Sequence, residues 1–142
     1  MDVPKQEGKK FSVQVKRISQ QQAIAETHGD KITLAIQGKD PNLGFTAPEA
    51  VLAAFGACIL SNITKSAAEM GLQIDDVSIE FSALKRLQPL GYADLQYTLI
   101  LQSVESKEKL QALYERAVTD GTATNVLLEG LKPQGKLTIQ PK

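Results

Sequence analysis

The sequence is short of the residues that build metal sites and disulfides. Its 142 residues include one cysteine, one histidine and no tryptophan. A single cysteine excludes an intramolecular disulfide, and one thiol with one imidazole excludes the usual thiolate and imidazole metal sites. We therefore expect no metal ion and no other cofactor, and we expect a reduced, cytoplasmic protein.

The sequence also lacks an excess of charge, because its 16 acidic and 16 basic residues cancel. A basic excess attracts nucleic acids and anionic membranes, so neither is an expected partner. No segment has the charged start, apolar stretch and small-residue cleavage site of a signal peptide. The length suits one domain, which we place at residues 11–142 after a flexible N-terminus at residues 1–10.

Alternation of apolar and polar residues predicts several strands around helices. The alternating segments are residues 11–16, 23–26, 31–37, 77–83 and 95–101, with a tight turn at residues 27–30. Ser106 is placed to cap a second helix, and Thr122 to cap a short third helix that ends at Glu129. Leu137 and Ile139 predict a closing strand. Antiparallel strands with segregated helices indicate an α+β fold.

A long helix lies between these strands, and both of its ends are marked. Thr46 and Glu49 fit a capping box at its start, and Gly71 is a natural stop. The stretch Val51–Leu60 has no polar side chain, so it is apolar on every face and should be buried on all sides. These ten residues are too few to cross a bilayer. The cover must therefore be protein, and part of it is expected from a second copy of the chain.

The only cysteine, Cys58, lies inside this apolar stretch, and two interpretations are open. A lone cysteine on an apolar helix is most often a small hydrophobic residue. It becomes a nucleophile where a nearby positive charge or a helix N-terminus favours the thiolate. A lysine or arginine within about 4–6 Å of the sulfur would favour an enzyme. A charge-free sulfur beside an apolar cavity would favour a binding protein.

The segment from Gly44 to Cys58 resembles the signature of the OsmC/Ohr superfamily, with Pro-Glu, Leu-Ala-Ala and Gly-Ala-Cys elements at residues 48–49, 52–54 and 56–58. The order of predicted elements resembles that family over nearly the whole chain. The resemblance implies an antiparallel sheet with a long buried central helix, in an intertwined homodimer with its sites at the interface. It also implies a thiol peroxidase that reduces organic hydroperoxides, with Cys58 and Glu49 as catalytic residues.

Three positions depart from the active members of that family. Active members carry a second cysteine before a proline, where this chain has Gly121 and Thr122, so the intramolecular disulfide of the family cannot form. The position of their arginine falls on Gln22. The position of their glutamate falls on Pro48, and Glu49 is one residue late. Glu49 is therefore either an equivalent acid or only the helix cap.

Two functions are open, and whether the chain is an enzyme is undecided from its sequence. The first is a one-cysteine hydroperoxide reductase, in which Cys58 forms a sulfenic acid that an external thiol reductant restores. Phe55 and Ile59 are then expected to line a pocket for a small apolar peroxide. The second function is a catalytically degenerate homodimer of the same fold that binds a small apolar ligand.

Overall fold

The computed structural model describes residues 10–119, 125, 129–130 and 133–141. The chain divides into two compact units, Met1–Val51 and Leu52–Lys142, called here the N-terminal and the C-terminal unit. Helices and mainly antiparallel strands are both present, so the predicted α+β fold class is confirmed. The single domain at residues 11–142 stays a prediction.

The N-terminal unit is a sheet with the strand order β1–β2–β3–β4. Its strands are β1 (Gln14–Arg17), β2 (Gln22–Thr27), β3 (Asp30–Ala35) and β4 (Phe45–Thr46). The first three pair antiparallel, and β4 pairs in parallel with β3. Val15, Ala25 and Ile32 are partners in register, so they share one face of the sheet. The first strand begins three residues later than the alternation from Phe11 predicts.

A two-residue turn joins β2 to β3, as the sequence predicts. His28 has a φ of 35° and Gly29 a φ of 88°, and the flanking residues Thr27 and Asp30 are paired. A type I′ turn requires positive φ at both central residues, and its twist matches the twist of paired strands. The turn therefore fixes the register between β2 and β3.

The long helix α1 (Ala47–Met70) ends where the sequence predicts. Gly71 has a φ of 67°, and its N–H donates to the Ala68 carbonyl at 3.2 Å. The Leu72 N–H donates to the Ala67 carbonyl at 2.9 Å. These two bonds form a Schellman motif, which satisfies helix carbonyls that have no partner within the helix.

The C-terminal unit packs α1 against a hairpin and a second helix. The hairpin strands are β5 (Asp76–Leu87) and β6 (Leu90–Gln102), and α2 (Lys107–Thr119) follows the predicted cap Ser106. The two helices supply the buried core, namely Ile59, Ile63, Ala67, Leu113 and Ala117. Hairpin side chains pack against that core, among them Val77, Ile79, Phe81, Leu99 and Leu101. Burial alternates along the first part of β5, as the sequence predicts.

The structure corrects one predicted element. Residues 133–141 form no strand, and Leu137 and Ile139 are exposed, so the predicted closing strand is wrong. The reason is that a strand requires a paired neighbour, which a short alternation does not supply. Within one chain Ala53, Ala54 and Ala57 of α1 are exposed. The predicted cover of this face by a second copy of the chain stays a prediction.

Two further predictions fall largely outside the described residues. The predicted third helix runs from Thr122 to Glu129, and of its residues only Asn125 and Glu129 are described, both helical and exposed. Gly121 and Thr122, at the family's second-cysteine position, lie outside the described residues. The predicted flexible terminus also lies outside them, except for Lys10.

Candidate functional site

Cys58 lies near the middle of α1 and is half-buried. Gly56, two residues before Cys58, and Ile59, directly after it, are buried. Residues three and four apart lie on the same face of a helix, so Phe55 and Asn62 are the helix neighbours of Cys58. The thiol therefore lies at the edge of the buried face of α1, with an aromatic ring one turn before it and an amide one turn after it.

Gly56 allows α1 to approach the hairpin closely just before Cys58. A Cβ atom at this position would lie 3.0 Å from a ring carbon of Phe81 and 3.1 Å from a methyl carbon of Ile79. A larger side chain would have to displace one of these neighbours, since the space is filled. The glycine thus sets the depth at which this part of α1 lies against the strands.

Three aromatic rings form a wall beside this turn of the helix. The ring centroid of Phe55 lies 5.3 Å from that of Phe81 and 6.3 Å from that of Tyr97. The centroids of Phe81 and Tyr97 are 5.7 Å apart. The rings are tilted or edge-on, which are the favourable arrangements of aromatic pairs. Ile59 is fully buried in the core, so the expectation that it lines a pocket is wrong.

The face of α1 that carries Cys58 meets α2 one turn further along. The Asn62 side chain donates from Nδ2 to the Ala117 carbonyl of α2 at 3.1 Å. Two turns later, Glu69 forms an ion pair with Arg116 of α2. Arg116 is thus engaged in holding the two helices together. Lys65, the only basic residue on α1, is exposed.

Glu49 closes the capping box that the sequence predicts. Its Oε1 accepts hydrogen bonds from the Thr46 backbone N–H at 2.9 Å and from the Thr46 hydroxyl at 2.8 Å. The Thr46 Oγ1 in turn accepts from the Glu49 backbone N–H at 3.4 Å. The Thr46 backbone N–H, and next its hydroxyl, lower the pKa of the Glu49 carboxyl below its usual value of 4.5. The capping role is confirmed, and a catalytic role stays a prediction.

Glu49 also lines an open cleft of about 440 Å³ within the N-terminal unit, together with Lys39 and Asp40. Gly44 forms another part of this lining and has a φ of 113°. A Cβ atom there would lie 2.7 Å from the Thr33 carbonyl oxygen, so only glycine fits. This close approach holds the loop against β3 and fixes the place where α1 begins.

Gln22, which the resemblance aligns with the family's arginine, has a structural hydrogen bond. Its Nε2 donates to the Leu43 carbonyl at 3.0 Å and so ties β2 to the short 3-10 turn Pro41–Leu43. A neutral amide supplies no positive charge to a thiolate. The nearest basic residues before Gln22 in the sequence, Lys16 and Arg17, are exposed on β1.

The two predicted site residues fall in different units, since Glu49 belongs to the N-terminal and Cys58 to the C-terminal unit. Sequence reasoning missed the contacts that the helix neighbours of Cys58 make with other elements, because Phe81, Tyr97 and Ala117 are distant in the sequence. One signal was present: Asn62 is a polar residue directly after the apolar stretch of α1. A polar side chain on a helix face that packs inward usually has a hydrogen-bond partner.

Comparison with known proteins identifies a family for most of the chain. The sequence model described as "OsmC-like protein" matches residues 38–134, which is more than half of the chain. None of the curated proteins matches the chain.

Solved structures share the fold at low sequence identity. An OsmC-like protein from Mycoplasma pneumoniae is 18% identical, with a TM-score of 0.78 over 85% of this chain and 89% of its own. The organic hydroperoxide resistance protein OhrB of Bacillus subtilis is 19% identical, with a TM-score of 0.58 over 82% and 90%. An organic hydroperoxide resistance protein OsmC from Legionella pneumophila is 17% identical, with a TM-score of 0.61 over 82% and 89%. The predicted OsmC-like fold is therefore confirmed.

Proposed function

Because the chain belongs to the OsmC-like protein family, we propose that it reduces organic hydroperoxides with Cys58 as its only redox-active thiol. The observation that carries this proposal is the place of Cys58 on α1, half-buried and one turn from the wall of Phe55, Phe81 and Tyr97. An aromatic wall one helical turn from Cys58 favours an alkyl or aryl hydroperoxide over hydrogen peroxide. Two structural relatives carry hydroperoxide resistance in their names, which supports the same chemistry.

In the proposed reaction the Cys58 thiolate attacks the terminal oxygen of ROOH. A sulfur–oxygen bond forms while the oxygen–oxygen bond breaks, so the sulfur is oxidised by two electrons and the peroxide is reduced. The departing alkoxide takes up a proton and leaves as the alcohol, and Cys58 becomes a sulfenic acid.

An external thiol must complete the cycle, because the chain has no second cysteine. The first thiol attacks the sulfenic sulfur, forms a mixed disulfide and releases water. A second thiol then attacks that disulfide and restores Cys58, so that two external thiols end as one disulfide. We propose such a reductant as a partner of the protein.

We propose that Glu49 acts as a positioning residue and not as a catalytic one. Its Oε1 already accepts two hydrogen bonds from Thr46, so it fixes the first turn of the helix that carries Cys58. Glutamine can also serve in a capping box. We expect Glu49→Gln to react with hydroperoxide at close to the wild-type rate. A drop of tenfold or more in a folded Glu49→Gln variant would instead make Glu49 a catalytic residue.

A homodimer is the proposed assembly. Val51, Ala53, Ala54 and Ala57 remain exposed on α1, although this stretch is apolar on every face. Apolar residues on an exposed helix face are stabilised when a second protein surface removes them from water. Sedimentation at micromolar concentration should give twice the mass of one chain, and a single-chain mass would contradict the dimer.

By length and composition, α1 would be long and apolar enough to cross a membrane, a test that the core helix of a soluble protein also passes. Gly56, Ile59, Ile63, Ser66 and Ala67 of α1 are buried inside the chain. We therefore propose that α1 is a core helix of a soluble, cytoplasmic protein. Recovery of the protein in the membrane pellet after cell lysis would contradict this.

The decisive experiment follows the mass of the intact protein after one equivalent of cumene hydroperoxide, with dimedone present to trap a sulfenic acid. Because Cys58 is the only thiol, any dimedone adduct must lie there. We expect rapid and complete trapping, with release of one equivalent of cumyl alcohol. Hydrogen peroxide at the same concentration should react more slowly.

The matched control is Cys58→Ser, which replaces sulfur by oxygen with little change in volume. This variant should keep the wild-type assembly and thermal midpoint but form no adduct and no alcohol. Alcohol release by Cys58→Ser at the wild-type rate would overturn the proposed chemistry. An unmodified wild-type thiol after long exposure would leave the second function, binding of a small apolar ligand.

A further inference from the structure

A second cleft, which Cys58 does not line, lies between β6 and α2 of the C-terminal unit. Its volume is about 310 Å³, within the range of small-molecule sites. Leu99, Leu101 and Leu110 supply an apolar lining, and the polar lining includes Tyr97 and Tyr114. Lys107, at the start of α2, adds an exposed ammonium group. The cleft therefore joins an apolar surface to hydroxyl groups and one positive charge.

The two tyrosine hydroxyls carry one more hydrogen-bond donor than the bond between them uses. Their hydroxyl oxygens lie 2.7 Å apart, and either one can be the donor. Two phenolic hydroxyls carry two protons, and their mutual bond uses only one of them. Within the described residues, the second proton has no acceptor from another side chain or backbone group. The cleft is open, so this donor is accessible to a ligand that accepts a hydrogen bond.

This donor is present throughout the physiological pH range. Burial raises the pKa of Tyr97 to about 12, and its hydrogen bond with Tyr114 adds to the increase. Tyr97 therefore keeps its proton near neutral pH. A ligand with an anionic acceptor gains most here, because hydrogen bonds to charged groups are stronger than neutral ones.

We propose that the cleft between β6 and α2 binds a small amphipathic carboxylate. The hydrocarbon part lies on Leu99, Leu101 and Leu110, and the carboxylate accepts the spare tyrosine proton. The Lys107 ammonium provides the compensating charge. Tyr97 belongs both to this lining and to the aromatic wall near Cys58. The other lining residues, and Lys107 among them, have no part in the proposed hydroperoxide chemistry.

The probe is decanoate at neutral pH, below the concentration at which it forms micelles, with decanol as the uncharged control of equal chain length. The chain has three tyrosines and no tryptophan, so its ultraviolet emission comes from tyrosine, and two of the three line the cleft. We expect decanoate to change this emission in a saturable manner. Decanol should bind about tenfold more weakly, because it lacks the charge that strengthens the hydrogen bond.

Calorimetric titration then compares variants of the cleft. The double variant Tyr97→Phe/Tyr114→Phe keeps both rings and removes both hydroxyls, and decanoate should bind it about tenfold more weakly. Lys107→Gln, at an exposed position, should weaken binding about two- to fivefold. Lys109→Gln removes an exposed lysine on the same helix that does not line the cleft, and it should bind like the wild type.

Three results would overturn the proposal: no saturable binding of decanoate, equal binding of decanol, or wild-type affinity in both Lys107→Gln and the tyrosine double variant. If the double variant does not fold, the test is the affinity of Lys107→Gln for decanoate compared with that of Lys109→Gln. Equal affinities of these two variants would then reject the site. Cys58→Ser should bind decanoate like the wild type. Decanoate binding by Cys58→Ser therefore distinguishes a wrong assignment of the cleft from a wrong assignment of the hydroperoxide chemistry.

Discussion

The two units of the chain differ in how completely they bury their apolar residues. In the C-terminal unit the side chains of Ile59, Ile63 and Leu113 are wholly removed from solvent. In the N-terminal unit several large residues on the sheet stay open, with Ile32 61% and Phe45 55% exposed. The C-terminal unit therefore has its own hydrophobic core, whereas backbone pairing and turn geometry define the N-terminal unit.

The hydrogen bonds and glycines of the N-terminal unit agree with this difference. Gln22 ties β2 to the turn at Leu43, and Gly44 brings the loop within reach of the Thr33 carbonyl. His28 adopts the positive φ that the β2–β3 turn requires. Each of these features specifies backbone position and buries little apolar area, so substitutions in the two units should have different costs.

The largest expected effect is that of Leu113→Ala. Removing a fully buried leucine side chain leaves a cavity, and such changes cost about 2–5 kcal/mol. Ile32→Ala, on the open face of the sheet, should cost only about 0.5 kcal/mol. Urea unfolding followed by circular dichroism measures both variants against the wild type under the same conditions.

The Ile32→Ala variant is the more informative test of the two. Its small expected cost rests on the exposure of Ile32 within one chain. A cost as large as that of Leu113→Ala would break the comparison, because it would mean that a second copy covers this face. Repeating the measurement at several protein concentrations would identify such a contribution from assembly.

A smaller effect is expected from a pair of glycine variants, one from each unit. Gly44→Ala should cost about 1–3 kcal/mol for backbone strain, and the clash with the Thr33 carbonyl adds to this. Gly71→Ala, at the end of α1, should cost about 1 kcal/mol, because its left-handed conformation has open space around it. Equal thermal midpoints for the two variants would show that the close approach at Gly44 relaxes without cost.

The sequence predicted the local features of the fold better than its long-range contacts. The capping box at Thr46, the stop at Gly71 and the turn at His28 each depend on residues within a few positions of one another. The closing strand at Leu137 and Ile139 was wrong, because alternation does not show whether a partner strand is present. For the same reason, periodicity marks α1 as apolar on every face but does not show which surface covers it, and its cover by a second copy stays a prediction.

In the candidate site, too, the sequence predicted local features better than long-range contacts. Glu49 could be assigned as a cap because its partner Thr46 is three residues away. Cys58 could be placed on the helix, but the wall around its helix neighbour Phe55 includes Phe81 and Tyr97, which come from the hairpin. This wall is therefore a product of tertiary packing that sequence spacing does not contain.

The smallest effect is expected from Glu49→Gln, and it appears as a change in pH dependence. Because the folded protein lowers the pKa of the Glu49 carboxyl below 4.5, its stabilising contribution is present above that value and is lost as the pH falls through the folded-state pKa. Glutamine accepts the same hydrogen bonds without titrating, so the stability difference between wild type and Glu49→Gln should shrink from pH 6 towards pH 3.

The control for this effect is Thr46→Ala, which removes the threonine hydroxyl and keeps the backbone N–H. Loss of the cap should cost about 1 kcal/mol at neutral pH. Because the backbone N–H is the larger cause of the lowered pKa, Thr46→Ala should retain most of the acid response that Glu49→Gln loses. Parallel stability profiles for the wild type and Glu49→Gln across the acid range would mean that the capping carboxylate contributes nothing to the folded state. The start of α1 would then depend on Gly44 and the β3–β4 pairing alone.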